Sequence, residues 1–226
     1  AIAVPCLVLA APGVSIDVFL GDLADQRFVT LPGELDEVSR EGDTSHWRAR
    51  LTQPAEGPLD ITFEATCVEG DGLQRWSYTV GNRKADATVC GVTFPVLTDI
   101  RVGPSWEGNR IYWPSMYQGT VIDDITSAES FEAQCKRSCK GVPYLYGKYQ
   151  GDLCLPFFVH SGPDGRLSVT VRDPSHEVFT FLGYRRNEGM EYRVGTHPRV
   201  ATGGQWSFGD IEVARSEDPD WHAVAD

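Results

Sequence analysis

Four large aromatic residues, Trp106, Tyr112, Trp113 and Tyr117, fall close together in the sequence, with Met116 among them. Gly103, Pro104, Gly108, Asn109 and Pro114 surround them, so the stretch reads as a shaped loop at a strand end rather than as a regular element. Flat rings held there can do one of two things. They can stack on a ligand such as a sugar ring, or they can plug one end of a β-sandwich. Trp106 lies between Ser105 and Glu107 in a turn and is expected to be exposed. Trp113 lies between Tyr112 and Pro114 and is expected to pack in the core. The candidate carbohydrate-binding set is therefore Trp106, Tyr112 and Tyr117, with Trp106 and Tyr117 expected to touch a sugar or a neighbouring domain.

Groups for acid–base or nucleophilic work are less organised. His46, His160, His176, His197 and His222 are scattered, and each reads more readily as a surface or satisfied core histidine than as a catalyst. Asp99 beside Arg101, Asp123-Asp124 and Asp173 before Pro174 are the carboxylates of most interest, though turn caps and solvated charges explain them equally well. Carboxylates are plentiful, but the sequence by itself pairs no two of them across a cleft as glycoside hydrolysis requires, and no catalytic residue is assigned. His160 with Asp173 or Glu177 is the one pair that could serve a histidine acid and a carboxylate base. The nucleophile elbow GxSxG, HExxH, the P-loop and GxGxxG are all missing, so no cofactor is implied. Cys135 and Cys139 have x3 spacing with Cys154 as a third candidate ligand. Zinc needs four ligands, so no metal site is assigned. Cys67 and Cys90 could pair or be buried thiols, and Cys6 completes a set of six.

The elements that must position these residues are strands. Ile16, Val18 and Leu20 alternate. Trp47, Ala49 and Leu51 alternate with Arg48 and Arg50, and Leu59, Ile61, Phe63 and Ala65 alternate with Asp60, Thr62, Glu64 and Thr66. Period-2 patterns broken by Gly/Pro turns every ten to fifteen residues or so predict an all-β antiparallel sandwich or barrel. Strands are expected near 16–20, 47–51, 59–66, 76–80, 92–102, 153–159, 167–171, 178–184 and 206–213, with a tight turn at Ser161–Gly165. Ala1–Ala11 reads as a first buried strand or the end of a signal peptide. Arg27–Leu31 is a short extended run, and Pro32–Thr44 is acidic and turn-rich, hence expected as an exposed loop. One helical insertion is expected near 126–139, opened by the capping box Thr126-Ser-Ala-Glu129 and presenting Phe131, Cys135 and Cys139 on one face.

At 226 residues the chain suits one large all-β domain or two small ones. Its formal charge of −12 argues against nucleic acid and anionic membranes as partners. No apolar run reaches the length of about 18 residues that a membrane helix needs. Asp218-Pro219 is a helix start, N-cap then proline at the first helical position. The expected division is a sandwich over 1–217 and, from 218 to 226, the start of a helix leading to a missing or separate domain.

One succession of segments resembles a known family. Phe94-Pro-Val-Leu97, Tyr112-Trp-Pro114, Gly119-Thr-Val-Ile122, Leu155-Pro-Phe-Phe-Val159, Gly165-Arg-Leu-Ser-Val-Thr-Val-Arg-Asp173 and Asp220-Trp-His-Ala-Val-Ala-Asp226 look like the N-terminal part of certain large glycoside hydrolases. Those enzymes begin with a galactose-mutarotase-like β-supersandwich, and a helix then enters a catalytic (β/α)8 barrel. The resemblance covers roughly 90–226. It implies an antiparallel supersandwich, a catalytic barrel domain or partner chain, and carbohydrate as ligand. The barrel that carries the catalytic carboxylates in such enzymes has no counterpart in these residues, so no catalytic role passes to this chain. The Cys135–Cys139 segment departs from the family pattern. A free-standing carbohydrate-binding module and a mutarotase- or epimerase-type enzyme are the alternatives.

Overall fold

The computed structural model describes residues 11–21, 27–55, 57–115, 119–153, 155–172 and 177–224. The described elements are β1 (Gly13–Leu20), β2 (Arg27–Glu41), β3 (Thr44–Leu51), β4 (Ile61–Gly70), β5 (Leu73–Asn82), β6 (Ala87–Ile100), β7 (Arg110–Trp113), β8 (Thr120–Ile122), helix α1 (Ala128–Ser138), β9 (Leu145–Tyr149), β10 (Phe157–Gly162), β11 (Gly165–Val171), β12 (Phe179–Arg185), β13 (Met190–Thr196) and β14 (Gln205–Ser216), followed by a 3-10 turn at Trp221–Val224. All fourteen strands join one sheet in the order β8-β7-β10-β11-β14-β5-β4-β3-β2-β1-β6-β13-β12-β9, and each pairing is antiparallel.

The sheet folds over its own apolar face. In its middle, Phe94 of β6 meets Phe63 of β4 at 5.1 Å and Trp76 and Tyr78 of β5 at 5.5 and 5.4 Å between ring centroids. Towards its ends, Phe158 of β10 lies 5.2 Å from Phe181 of β12 and 4.6 Å from Tyr192 of β13, and Trp113 of β7 lies 6.2 Å from Phe181. Strands distant in the hydrogen-bonding order thus share one aromatic core. Each ring so buried contributes about 2–3 kcal/mol by removal from water. The expected all-β supersandwich with one helical insertion is the observed fold.

Some boundaries differ from the expectation. Pro32–Thr44 is not a loop: β2 continues to Glu41 and turns at Gly42-Asp43 into β3. Past Leu35 every residue of β2 is exposed, so this arm carries no apolar alternation to read. Ion pairs accompany it instead: Arg50 bonds Glu34 across β2–β3 at 3.1 Å, and Arg40 bonds Glu37 within β2 at 3.0 Å and Glu69 of β4 at 2.8 Å. The strand expected at 153–159 begins its regular pairing at Phe157, Leu153 making only an isolated bridge to Ser115. The helix cap is Ser127 rather than Thr126. Ser127 Oγ accepts from Ser130 N at 3.0 Å, while Thr126 turns back to donate from Oγ1 to Asp124 Oδ1 at 2.6 Å. At the C-terminus the turn starts at Trp221, because Asp218 Oδ1 accepts from Asp220 N and Asp220 Oδ1 from His222 N, two successive side-chain turns. The reading of Ala1–Ala11 as a strand falls, but for Ala11 itself, outside the described residues.

Candidate functional site

The loop between β6 and β7 carries Trp106, and one buried side chain shapes it. Asn109 donates from Nδ2 to Ser105 O at 2.9 Å and to Glu107 O at 3.4 Å. Its Oδ1 accepts from Val102 N at 3.3 Å and from His160 Nε2 at 2.8 Å. Both of its polar atoms are thus used to close the turn and to moor it to β10. Trp106, expected to be exposed, is instead half-buried, its indole packed partly against the core. The Arg185 guanidinium lies over the ring at 4.6 Å and that of Arg101 at 6.0 Å. Arg185 is itself fixed by donating to the carbonyls of Ile125 and Thr126 at 2.8 and 2.9 Å. A protein cation therefore already occupies part of the Trp106 π-face.

The other aromatics separate as their neighbours dictate. Trp113 is 1% exposed, lies 5.3 Å from Phe158, and donates from Nε1 to Tyr146 O at 3.3 Å. It is core, as its place before Pro114 suggested. Tyr112 is half-buried on β7, opposite Val159 of β10 and Val121 of β8. Tyr117 lies outside the described residues.

His160 is fully buried, and desolvation pushes its pKa down to about 3. Asn109 Oδ1 can only accept, so Nε2 carries the proton and Nδ1 is the bare nitrogen. Nδ1 and the nearby Tyr192 hydroxyl are buried without a hydrogen-bond partner among the described residues. The histidine is a neutral core group. Glu177 is exposed, and Asp173 and His176 are outside the described residues. Asp99 lies near the end of β6 with φ of 57°, where the register against β13 shifts, and Asp124 is committed to Thr126 and Ser130 at the start of α1. Cys67, Cys90, Cys135 and Cys139 are free thiols, and burial pushes Cys67 up to about 12. No group of three or more metal-ligating side chains occurs among the described residues, and Cys6 and Cys154 are outside them.

A second concavity was not singled out from sequence. A groove of about 440 Å³ crosses the outer face of β3, β4, β5 and β14, lined by Val38, His46, Arg48, Glu64, Thr66, Ser77, Thr79, Ser207 and Gly209 together with edges of Trp47, Ala65, Tyr78 and Phe208. His46 Nδ1 is 3.2 Å from Thr66 Oγ1, Arg48 Nη2 donates to Glu64 at 2.9 Å, and the Thr79 and Ser207 hydroxyls are 2.8 Å apart. The polar members are the outward positions of alternating strands. The sequence signal for them was the polar half of the same alternation that revealed the core.

No protein-family model and no curated protein matches the sequence. Solved structures do match in fold. The GH36 α-galactosidase AgaA of Geobacillus stearothermophilus aligns with a TM-score of 0.54 at 10% identity, over 90% of this chain and 30% of its own. The Slr1438 protein of Synechocystis aligns at 0.52 and 11% identity, over 88% and 73% of the two chains. A galactose mutarotase-related enzyme of Lactobacillus acidophilus aligns at 0.49 and 10%, over 83% and 72%. The fold is shared with part of the α-galactosidase, and the chain spans under a third of that protein's length.

Proposed function

We propose that this chain is the non-catalytic, N-terminal supersandwich domain of a carbohydrate-active enzyme, with residues 1–217 forming the sandwich and 218–226 leading towards a catalytic barrel domain or partner chain. The observation that carries the reading is one of extent: 90% of this chain corresponds to 30% of a GH36 α-galactosidase. The site agrees with it. Of the carboxylates singled out in the sequence, Asp124 is taken up by Thr126 and Ser130 at the start of α1, and the one histidine nominated as an acid is sealed in the core. The loop around Trp106, moored by Asn109 and with the Arg185 guanidinium over its ring, is held in a shape suited to forming one wall of a substrate site, with Tyr112 and Tyr117 following it in sequence. Preorganised aromatics give contact area at little entropic cost.

The test has two arms. The purified chain should turn over no aryl glycoside; turnover abolished by a point mutation within it would overturn the non-catalytic reading. Trp106→Ala should weaken saccharide binding or docking to the barrel domain while the fold persists. A variant that leaves both untouched would remove the loop from the reading. A free-standing carbohydrate-binding module is the second reading, favoured by the polar groove, and it requires glycan retention with no partner present.

A further inference from the structure

An outward sheet face is polar by default, so polarity alone does not make the groove a site. Its construction does. In β2, Glu37 pairs with Trp47 and Ser39 with His46, which leaves Val38 as an extra residue. In β14, Phe208 pairs with Tyr78 and Ile211 with Trp76, which leaves Gly209 and Asp210 opposite Ser77. His46 pairs with Thr66, and Thr66 with Ser77. The two irregularities therefore sit in one transverse row, Val38–His46–Thr66–Ser77–Gly209, one on each side of a three-strand floor. A bulge bends its own strand and increases local twist. Two of them flanking the same row raise both margins of the floor, and Val38 and Gly209 both line the resulting groove. The volume lies within the range of about 300–1,000 Å³ usual for small-ligand sites.

The lining selects a ligand class. Thr66, Ser77, Thr79 and Ser207 bring four hydroxyls, and His46 a ring nitrogen pair. Each of these can donate and accept, as a sugar hydroxyl does. Arg48 and Glu64 in the adjacent row neutralise one another at 2.9 Å, so the floor has no net charge to hold an ion. Side by side they offer donors and acceptors to neighbouring hydroxyls of one ring. Val38, 59% exposed, supplies an apolar wall for a C–H face. The contrast is the β11–β14 face, where Arg166 and Arg172 are committed to Asp218 and Glu212.

We propose that this groove is a binding site for a neutral saccharide, distinct from the Trp106 loop. The ligand class rests on the reading of the chain as part of a carbohydrate-active protein; the existence of the site rests on the paired bulges.

The experiment is a titration of the ¹⁵N-labelled chain with galactose, glucose and raffinose, followed by amide shifts and by calorimetry. Variants Glu64→Gln, Gly209→Leu and Trp106→Ala are compared with the wild type, each with its thermal transition recorded. A Cβ at Gly209 would lie 3.5 Å from Ser77 Cβ, an ordinary contact at a backbone conformation open to any residue, so the leucine fills the groove without forcing the chain. Saturable shifts at the amides of Thr66, Ser77 and Gly209 are expected with at least one sugar. Glu64→Gln should weaken that binding about tenfold, and Gly209→Leu should abolish it. No groove shift with any of the three sugars overturns the inference, as does binding that survives Gly209→Leu. Binding lost only in Trp106→Ala overturns the groove and keeps the loop. A chain that binds none of the sugars and still docks a catalytic domain overturns the groove and leaves the domain reading standing.

Discussion

Strands β4 and β10 belong to one sheet and are built on opposite terms. In β4, Ile61, Phe63, Ala65 and Cys67 are buried, while Thr62, Glu64 and Val68 are exposed and Thr66 is half-buried, a floor with one dry and one wet side. In β10 all six residues from Phe157 to Gly162 are buried, because both faces are covered. On β4 one face of the strand is open to solvent and its polar residues can meet a ligand. On β10 every residue is committed to packing, and even its histidine is treated as an apolar group. The difference teaches where a polar residue can act: Glu64 and His160 are both titratable, and only the first meets water.

The comparison breaks most visibly at Trp113. Its replacement by alanine should cost about 3–5 kcal/mol, measured as a fall in the denaturant midpoint at constant slope. A loss below about 1 kcal/mol would mean that the two ends of the sheet are not packed through that ring. The next effect is acid sensitivity. His160 has a folded pKa of about 3 against an ordinary value of about 6.5. Below the ordinary value the unfolded chain takes up a proton that the folded chain refuses. Its contribution is therefore fully present above about pH 6.5 and declines as pH falls towards about 3, by about 1.4 kcal/mol per unit. Denaturation midpoints across that window should show this slope, and His160→Gln should flatten it by one proton. An unchanged slope in the variant would place the acid sensitivity elsewhere. The smallest effect belongs to the wet side. Glu64→Gln should change stability by no more than about 0.5 kcal/mol, since Arg48 and Glu64 are both more than half exposed. A loss of several kcal/mol would make that pair structural and blur the distinction.

The same contrast governs what the sequence could disclose. The β4–β5 hairpin was legible because one side faces water and one faces the core, which writes period two into the residues, and because Glu69-Gly-Asp-Gly72 marks the turn. The β10–β11 hairpin was legible through its turn and its apolar runs. The outer part of β2 was not, since exposure on both faces leaves no apolar period and cross-strand ion pairs have no local signature. At the site, Trp113 as core and Trp106 at a turn followed from their immediate neighbours. The Arg185 cation over Trp106 and the row joining Val38, His46, Thr66, Ser77 and Gly209 did not. Both depend on which strands lie side by side and in what register, and distant residues of the chain set that register.

The order of the sheet has one further consequence. Among the described residues, the fourteen strands of the sheet leave two outermost strands, β8 with three residues and β9 with five. Unpaired strand edges are the templates on which folded chains polymerise. Here the first is among the shortest strands of the molecule. Along the second, the Tyr146 carbonyl already accepts the Trp113 indole N–H and Lys148 is exposed. A sheet of this size could have been a seed for fibres; folded in this order, its described strands present very little backbone to another copy of itself.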